Sequence, residues 1–249
     1  NETNRGSIQS RDFILHHAEG AVVLCLDDDS YPVADDFFAR LPAVFAAHPE
    51  AAVVSFPELR DGGGYIPADK TPDTPGHYLS AYANGAAAMR RRDYLQTGGY
   101  PPFFEHAYEE PDYALQCFEH GTAVWFEPTL TIRHHFSSVN RDSMRTHQFN
   151  ARNELWSVWM RCPQPWLGLV ALYRVIRQFA HALSEGWSWV RHEPVWWREA
   201  LHGMEHCTRS RRPIRWKIYF AWMRLARRPL HQVEQLEREF GQPFRRSLS

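Results

Sequence analysis

The sequence predicts an α/β fold with a Rossmann-like, mostly parallel sheet, followed by a helical region. Three observations predict it. Short apolar runs alternate with stretches of helical spacing through the first part of the chain. The pattern becomes all-helical after residue 145, which divides the chain into 1–145 and 146–249. The charge changes sign near the same place: residues 1–150 hold 11 Lys+Arg against 21 Asp+Glu, and residues 151–249 hold 17 against 8.

Taken in order, Arg11 to Glu19 has helical spacing, with Phe13, Ile14, His17 and Ala18 on one face. Ala21 to Leu26 is a continuous apolar run between Gly20 and Asp27-Asp28-Asp29, as expected of a buried strand in a parallel sheet. A helix over Asp35–His48 and a strand over Ala51–Phe56 complete a β-α-β pattern. Residues 57–77 read as a long loop, punctuated by Gly62-Gly63-Gly64 and by Pro57, Pro67, Pro72 and Pro75. Tyr78 to Met89 reads as one strand, and a short helix over Arg91–Thr97 closes at Gly98-Gly99. A helix over Pro111–His120 starts behind Glu109-Glu110 and ends at Gly121. Strands follow over Thr122–Phe126 and Thr129–His134. Beyond them four helices are expected, over Gln148–Arg161, Trp166–Glu185, Trp196–Cys207 and Arg215–Arg227, separated by Pro163, Pro165, Pro194 and Pro213.

Composition narrows the function. The 249 residues are 44% hydrophobic and 23% charged, which excludes a disordered or collagen-like chain. The four cysteines lie far apart with no CxxC pair, which excludes a disulfide scaffold and a CxxC zinc site and points to a reducing compartment. No apolar run reaches the roughly 20 residues that a membrane-spanning helix needs. Basic residues in the second part fall at helical spacing without a nucleic-acid-binding motif, so no nucleic-acid partner is expected.

Three motifs carry potential chemistry. Asp27-Asp28-Asp29 at a strand end is either a solvated acidic turn or a cluster that a hard divalent cation would relieve of its mutual repulsion. Ligands of open α/β sheets bind beyond the carboxyl ends of strands, where this cluster falls. Glu109-Glu110-Pro111-Asp112 either complements a helix dipole or supplies a general base. His134-His135 is either structural or completes a metal site begun by carboxylates. The aromatic, Arg-rich second part, with seven of the ten tryptophans between Trp156 and Trp197, suits either packing on the core or a membrane interface with anionic lipids.

The order NxG with a following Arg, LDDDSYP, GAAAMRRRDYLQTGGYPPFF, YEEPDYALQ, IRHHFS and ARNELWSVWMRCPQPW resembles the family-2 glycosyltransferases of the inverting GT-A fold. The resemblance runs from about Asn4 to Leu230. It implies Mn²⁺ or Mg²⁺ held by Asp27, Asp29 and His134, and a nucleotide-sugar donor met by Asn4, Gly6, Arg11, Asp27 and Asp28. It implies Glu110 as catalytic base with Asp112 as the fallback, and an acceptor placed by Gly98, Gly99, Tyr100 and Glu109. Arg152-Asn153 matches an RN pair on the helix that follows in bacterial members. The family's usual first strands, which bind the nucleoside, have no counterpart here. The resemblance therefore implies an N-terminally truncated GT-A core with Ala21–Leu26 as an open edge. The implied role is transfer to a saccharide or lipid-linked acceptor in surface-polysaccharide synthesis, in the cytoplasm and peripherally on the inner face of a bacterial membrane. Two other classes fit parts of the pattern: a non-catalytic GT-A-like remnant that binds membrane or a partner chain, and a different metal-dependent phosphoryl enzyme using Asp27-Asp28-Asp29.

Overall fold

The computed structural model describes residues 6–135 and 142–245. In chain order these form α1 (Gly6–His17), β1 (Val22–Leu26), β2 (Ser30–Pro32), α2 (Phe37–Ala47), β3 (Ala51–Ser55), β4 (Glu58–Arg60), β5 (His77–Tyr78), β6 (Ala86–Arg90), α3 (Arg91–Leu95), α4 (Glu109–Glu119), β7 (Ala123–Phe126) and β8 (Ile132–His134). The helices α5 (Ser143–Arg161), α6 (Leu167–Glu185), α7 (Trp187–His202), α8 (Met204–Arg209), α9 (Trp216–Leu225) and α10 (Val233–Phe240) follow.

The main sheet has the order β1-β6-β3-β7-β5, and a smaller one the order β2-β8-β4. The α/β class holds, but the sheet is mixed rather than mostly parallel. Among the described residues only β3–β7 and β4–β8 run parallel, while β6 lies antiparallel to both β1 and β3. A continuous apolar run reports burial on both faces, which a two-sided mixed sheet shares with a parallel one. The alternation of side chains shows that burial directly. Ala86 and Ala88 of β6, with Ala123 and Trp125 of β7, enter one apolar core; Ala87, Met89, Val124 and Phe126 enter the other. β1 is an edge strand with mostly half-buried residues.

The expected strand over Tyr78–Met89 is two short strands, β5 and β6, in different parts of the sheet. Residues 79–85 between them turn toward the carboxyl ends of the strands and bring Asn84 and Gly85 to a cavity there. The expected loop over 57–77 contains β4, which pairs with β8. The last strand of the first region starts at Ile132 rather than Thr129.

The helical region is not a separate layer. A boundary at residue 145 falls in the first turn of α5, whose Arg152, Asn153, Glu154, Ser157 and Arg161 are all buried. α9 and α10 share a core with the sheet, and Phe240 of α10 stacks on Phe118 of α4 at 4.6 Å. Pro194 sits inside α7 rather than ahead of a helix. The break comes instead at Gly203, where a β-carbon would stand 2.1 Å from the Trp156 ring. Close packing of that indole against the backbone sets the boundary between α7 and α8. α10 is a helix that sequence reasoning missed, although Val233, Leu236 and Phe240 recur at i, i+3 and i+7.

Candidate active site

β1 ends in the Asp27-Asp28-Asp29 cluster, and a tight turn reverses the chain at once. The Ser30 amide donates to the Asp27 carbonyl at 3.1 Å, and the Asp27 amide donates to Ser30 Oγ at 2.8 Å. β2 then pairs with β8 in a register that sets Ser30 opposite His134. The His135 amide donates to the Asp29 carbonyl at 2.9 Å and locks that register. As a result His134 Nε2 lies 3.0 Å from Asp29 Oδ1 and 3.9 Å from Asp27 Oδ2. One ligand atom from each of Asp27, Asp29 and His134 falls within 4.8 Å of the others.

The donor set fits a divalent cation. Two carboxylate oxygens and one imidazole nitrogen suit Mn²⁺ or Mg²⁺ with positions left for other oxygens. Nδ1 of His134 donates to Glu58 Oε1 at 2.7 Å, which turns Nε2 toward the aspartates. Glu58 is buried, and Arg60 of the same strand pairs with it. Gly85 closes the other side: a β-carbon there would stand 2.5 Å from Asp27 Oδ2. Arg11 reaches from α1 to Asp27 Oδ1 at 2.5 Å. Glu58→Gln keeps the shape of that support but removes its charge. Isothermal titration with Mn²⁺ should show affinity lowered about 10- to 100-fold, the usual cost of losing a carboxylate behind a ligating histidine.

The opposite wall is the start of α4. Asn84 Nδ2 donates to Glu109 Oε1 at 3.0 Å, and among the described residues Glu109 Oε2, although buried, has no partner. Burial, and then the neighbouring charge of Glu109, push the Glu110 carboxyl up to about 8 from an ordinary 4.5. The chain enters α4 through backbone that non-glycine residues rarely adopt, with φ of 63° at Glu105, 66° at Ala107 and 70° at Tyr108. Such conformations cost on the order of 1–3 kcal/mol each and persist only where neighbours hold them. Here Asn153 Nδ2 reaches the carbonyls of Phe104, His106 and Ala107 at 2.9, 2.7 and 2.8 Å, and Arg152 donates to that of Phe104 at 2.9 Å. The RN pair thus acts on the backbone that aims Glu109 and Glu110.

These residues line one cavity of about 740 Å³. Arg11, Asp27, Asp28, Asp29, Glu109, Glu110 and His134 all face it, together with Glu58, Asn84 and Gly85, which sequence reasoning missed. Asn4 lies outside the described residues, and Ser7 rather than Gly6 lines the cavity.

Four more expected site residues, besides Gly6, do not reach it. Asp112 is fully buried, and Ser157, Arg161 and Gln116 occupy both its oxygens at 2.7–3.0 Å. It anchors α4 to α5 and is not placed to take a proton from an acceptor. Gly98 and Gly99 are tied to the Gln116 side chain, and Tyr100 is buried with its hydroxyl 2.7 Å from Asn84 Oδ1. Their helix-closing glycines and aromatic ring make them a support: Tyr100 orients Asn84, and Asn84 orients Glu109.

No protein-family model and no curated protein sequence matches the chain. Among solved structures it is similar to the crystal structure of GalNAc-T7 with UDP, GalNAc and Mn²⁺, at 17% identity and a TM-score of 0.51 over 66% of this chain. It spans 36% of the length of that chain. It is also similar to the mannosyltransferase PcManGT from Pyrobaculum calidifontis in complex with GDP-Man and Mn²⁺, at 15% identity and a TM-score of 0.47, over 90% of this chain and 67% of that one. The fold is therefore of the GT-A type, an α/β core with a helical C-terminal region.

Proposed function

We propose that the chain is a metal-dependent, inverting glycosyltransferase of the family-2 type, which moves a sugar from a nucleoside-diphosphate donor to an acceptor hydroxyl. One observation carries the reading: Asp27, Asp29 and His134 meet Glu109 and Glu110 across a single cavity, although they come from three distant stretches of chain. The presence of UDP and Mn²⁺ in GalNAc-T7, whose fold is similar, supports the metal and the nucleotide donor in this reading.

The chemistry follows from the placement. Glu110 takes the proton of the acceptor hydroxyl, and that oxygen attacks the anomeric carbon from the face opposite the diphosphate. The bond from the anomeric carbon to the diphosphate oxygen breaks, and its electron pair leaves with the diphosphate. Asp27, Asp29 and His134 would hold a divalent cation, which would supply positive charge against that leaving group. Arg11, Arg60 and Arg145 also line the cavity, each paired with a carboxylate of the chain, Asp27, Glu58 and Glu199 respectively. Incubation with Mn²⁺ and a panel of UDP-, GDP- and dTDP-sugars should release nucleoside diphosphate only when metal is present. The product anomer, read by NMR, should be opposite to that of the donor. Retained configuration, or release that chelator leaves unchanged, would overturn the proposal.

A peripheral membrane contact belongs to the same reading. Leu169, Leu172, Ile176 and Leu183 recur at helical spacing along α6 and are 66%, 58%, 58% and 53% exposed. Among the described residues no helix is long and apolar enough to cross a membrane. The basic balance of residues 151–249 favours an anionic lipid surface as the cover for this row. The chain should sediment with phosphatidylglycerol vesicles, and Leu172→Glu with Ile176→Glu should weaken that binding by more than about tenfold. Equal sedimentation of the double variant would remove α6 from the contact.

A further inference from the structure

We propose that the acceptor is a neutral oligosaccharide lying in a groove between α5, α6 and α7, with its attacking hydroxyl at Glu110. The inference rests on the transferase reading and names the acceptor class and the subsite that holds it. The groove has a volume of about 870 Å³. Tyr108, Thr146 and Asn150 line both it and the 740 Å³ cavity, so the two adjoin. Tyr108 immediately precedes Glu109-Glu110, which places the junction beside the base.

The chemistry of the groove is that of a sugar site. Trp189, His147 and His181 form a three-ring cluster, with centroids 5.2–5.7 Å apart. Trp189 is half-buried, so its ring combines a fixed position with an accessible apolar face for the C–H side of a pyranose. Around the rings stand the side chains of Asn150, Gln178 and Glu185, which offer both donors and acceptors to hydroxyl groups. The wall is pre-organised. His147 Nε2 lies 2.9 Å from Glu193 Oε1, and Trp196 Nε1 donates to Glu193 Oε2 at 3.0 Å, so a carboxylate that is 1% exposed holds the imidazole.

The charge argues for a neutral ligand. Arg177, the guanidinium of the lining, is engaged by both oxygens of Glu154 at 2.5 Å, a carboxylate that Arg174 shares at 3.0 Å, and the negative charge of Glu185 balances the second guanidinium. No surplus of positive charge remains among the lining residues to select a phosphate.

Isothermal titration of maltotriose, cellotriose, mannotriose and glucose 1-phosphate into the full chain tests this. At least one neutral trisaccharide should bind saturably and more tightly than glucose 1-phosphate. Trp189→Ala should weaken it by about tenfold, the loss expected of one aromatic contact. His181→Ala changes an exposed side chain without disturbing the core and should weaken it in the same direction. Binding of Mn²⁺ with UDP or GDP should be unchanged in both variants. Saccharide binding that both variants retain, preference for glucose 1-phosphate, or no trisaccharide binding to a chain that does bind Mn²⁺ and nucleotide would overturn the groove alone. Absence of Mn²⁺–nucleotide binding in the unaltered chain would instead overturn the transferase reading beneath it.

Discussion

Glu110→Gln lowers sugar transfer by about 10²- to 10⁴-fold, the range for loss of a positioned general base, while Mn²⁺-dependent nucleotide binding is retained. Glutamine preserves the shape of the side chain and its contact with the Asn84 amide at 3.5 Å, so the loss isolates proton transfer. The pH dependence supplies a second readout. Burial and the charge of Glu109 hold the Glu110 carboxyl at about 8, so the proton-accepting form grows in as pH rises through that value. Transfer at low donor concentration should therefore climb to about pH 8 and level off. Stability moves the other way. A carboxyl raised above its ordinary 4.5 binds a proton more tightly in the folded chain, so its contribution is fully present below pH 4.5 and is lost as pH rises through about 8. Glu110→Gln abolishes that loss and should raise the melting temperature more at pH 9 than at pH 5. Near-unaltered turnover in Glu110→Gln would move the assignment to Glu109, whose buried Oε2 lacks a partner among the described residues, and not to Asp112, whose oxygens are taken.

The same contrast explains what the sequence could reveal. Asp27-Asp28-Asp29, Glu109-Glu110 and His134 were legible through the order of the motifs that carry them, since each alone also reads as an acidic turn, a complement to a helix dipole or a structural histidine. The approach of His134 to the aspartates follows from the pairing of β2 with β8, and β2 is a three-residue strand too short to leave a periodic signal. Glu58 was hidden in a stretch dominated by turn residues, since proline and glycine composition conceals a three-residue strand. Asn84-Gly85 was hidden because apolar residues on both sides allowed one long strand to be drawn through it. Asp112 and Tyr100 show the converse error. Spacing places a residue on an element, but the partner that occupies it comes from elsewhere in the chain: Arg161 is 49 residues from Asp112, and Asn84 is 16 from Tyr100. The sign of the charge changes near α5, yet α5 carries the Arg152-Asn153 pair that shapes the entry to α4.

Asp29→Ala abolishes the stabilisation that Mn²⁺ and nucleotide give together. A ligand that binds only the folded chain adds about 2.7 kcal/mol at a hundred times its dissociation constant, so the unaltered chain should show a clear rise in melting temperature with both present. The choice of Asp29 over Asp27 follows from their partners. Asp27 Oδ1 already carries the Arg11 guanidinium, so its loss would strand a cation as well as remove a ligand. Asp29 is about one-third exposed at its side chain, and its carboxylate faces His134 at 3.0 Å. Without metal, removing it also relieves repulsion within Asp27-Asp28-Asp29, so the variant should remain folded and melt close to the unaltered chain. His134→Ala should lose the same shift by a different route, leaving Glu58 without its imidazole partner and lowering metal-free stability as well. An Asp29→Ala chain that kept the full Mn²⁺–nucleotide shift would place the cation elsewhere in the cavity and remove the basis for assigning Asp27, Asp29 and His134 to it.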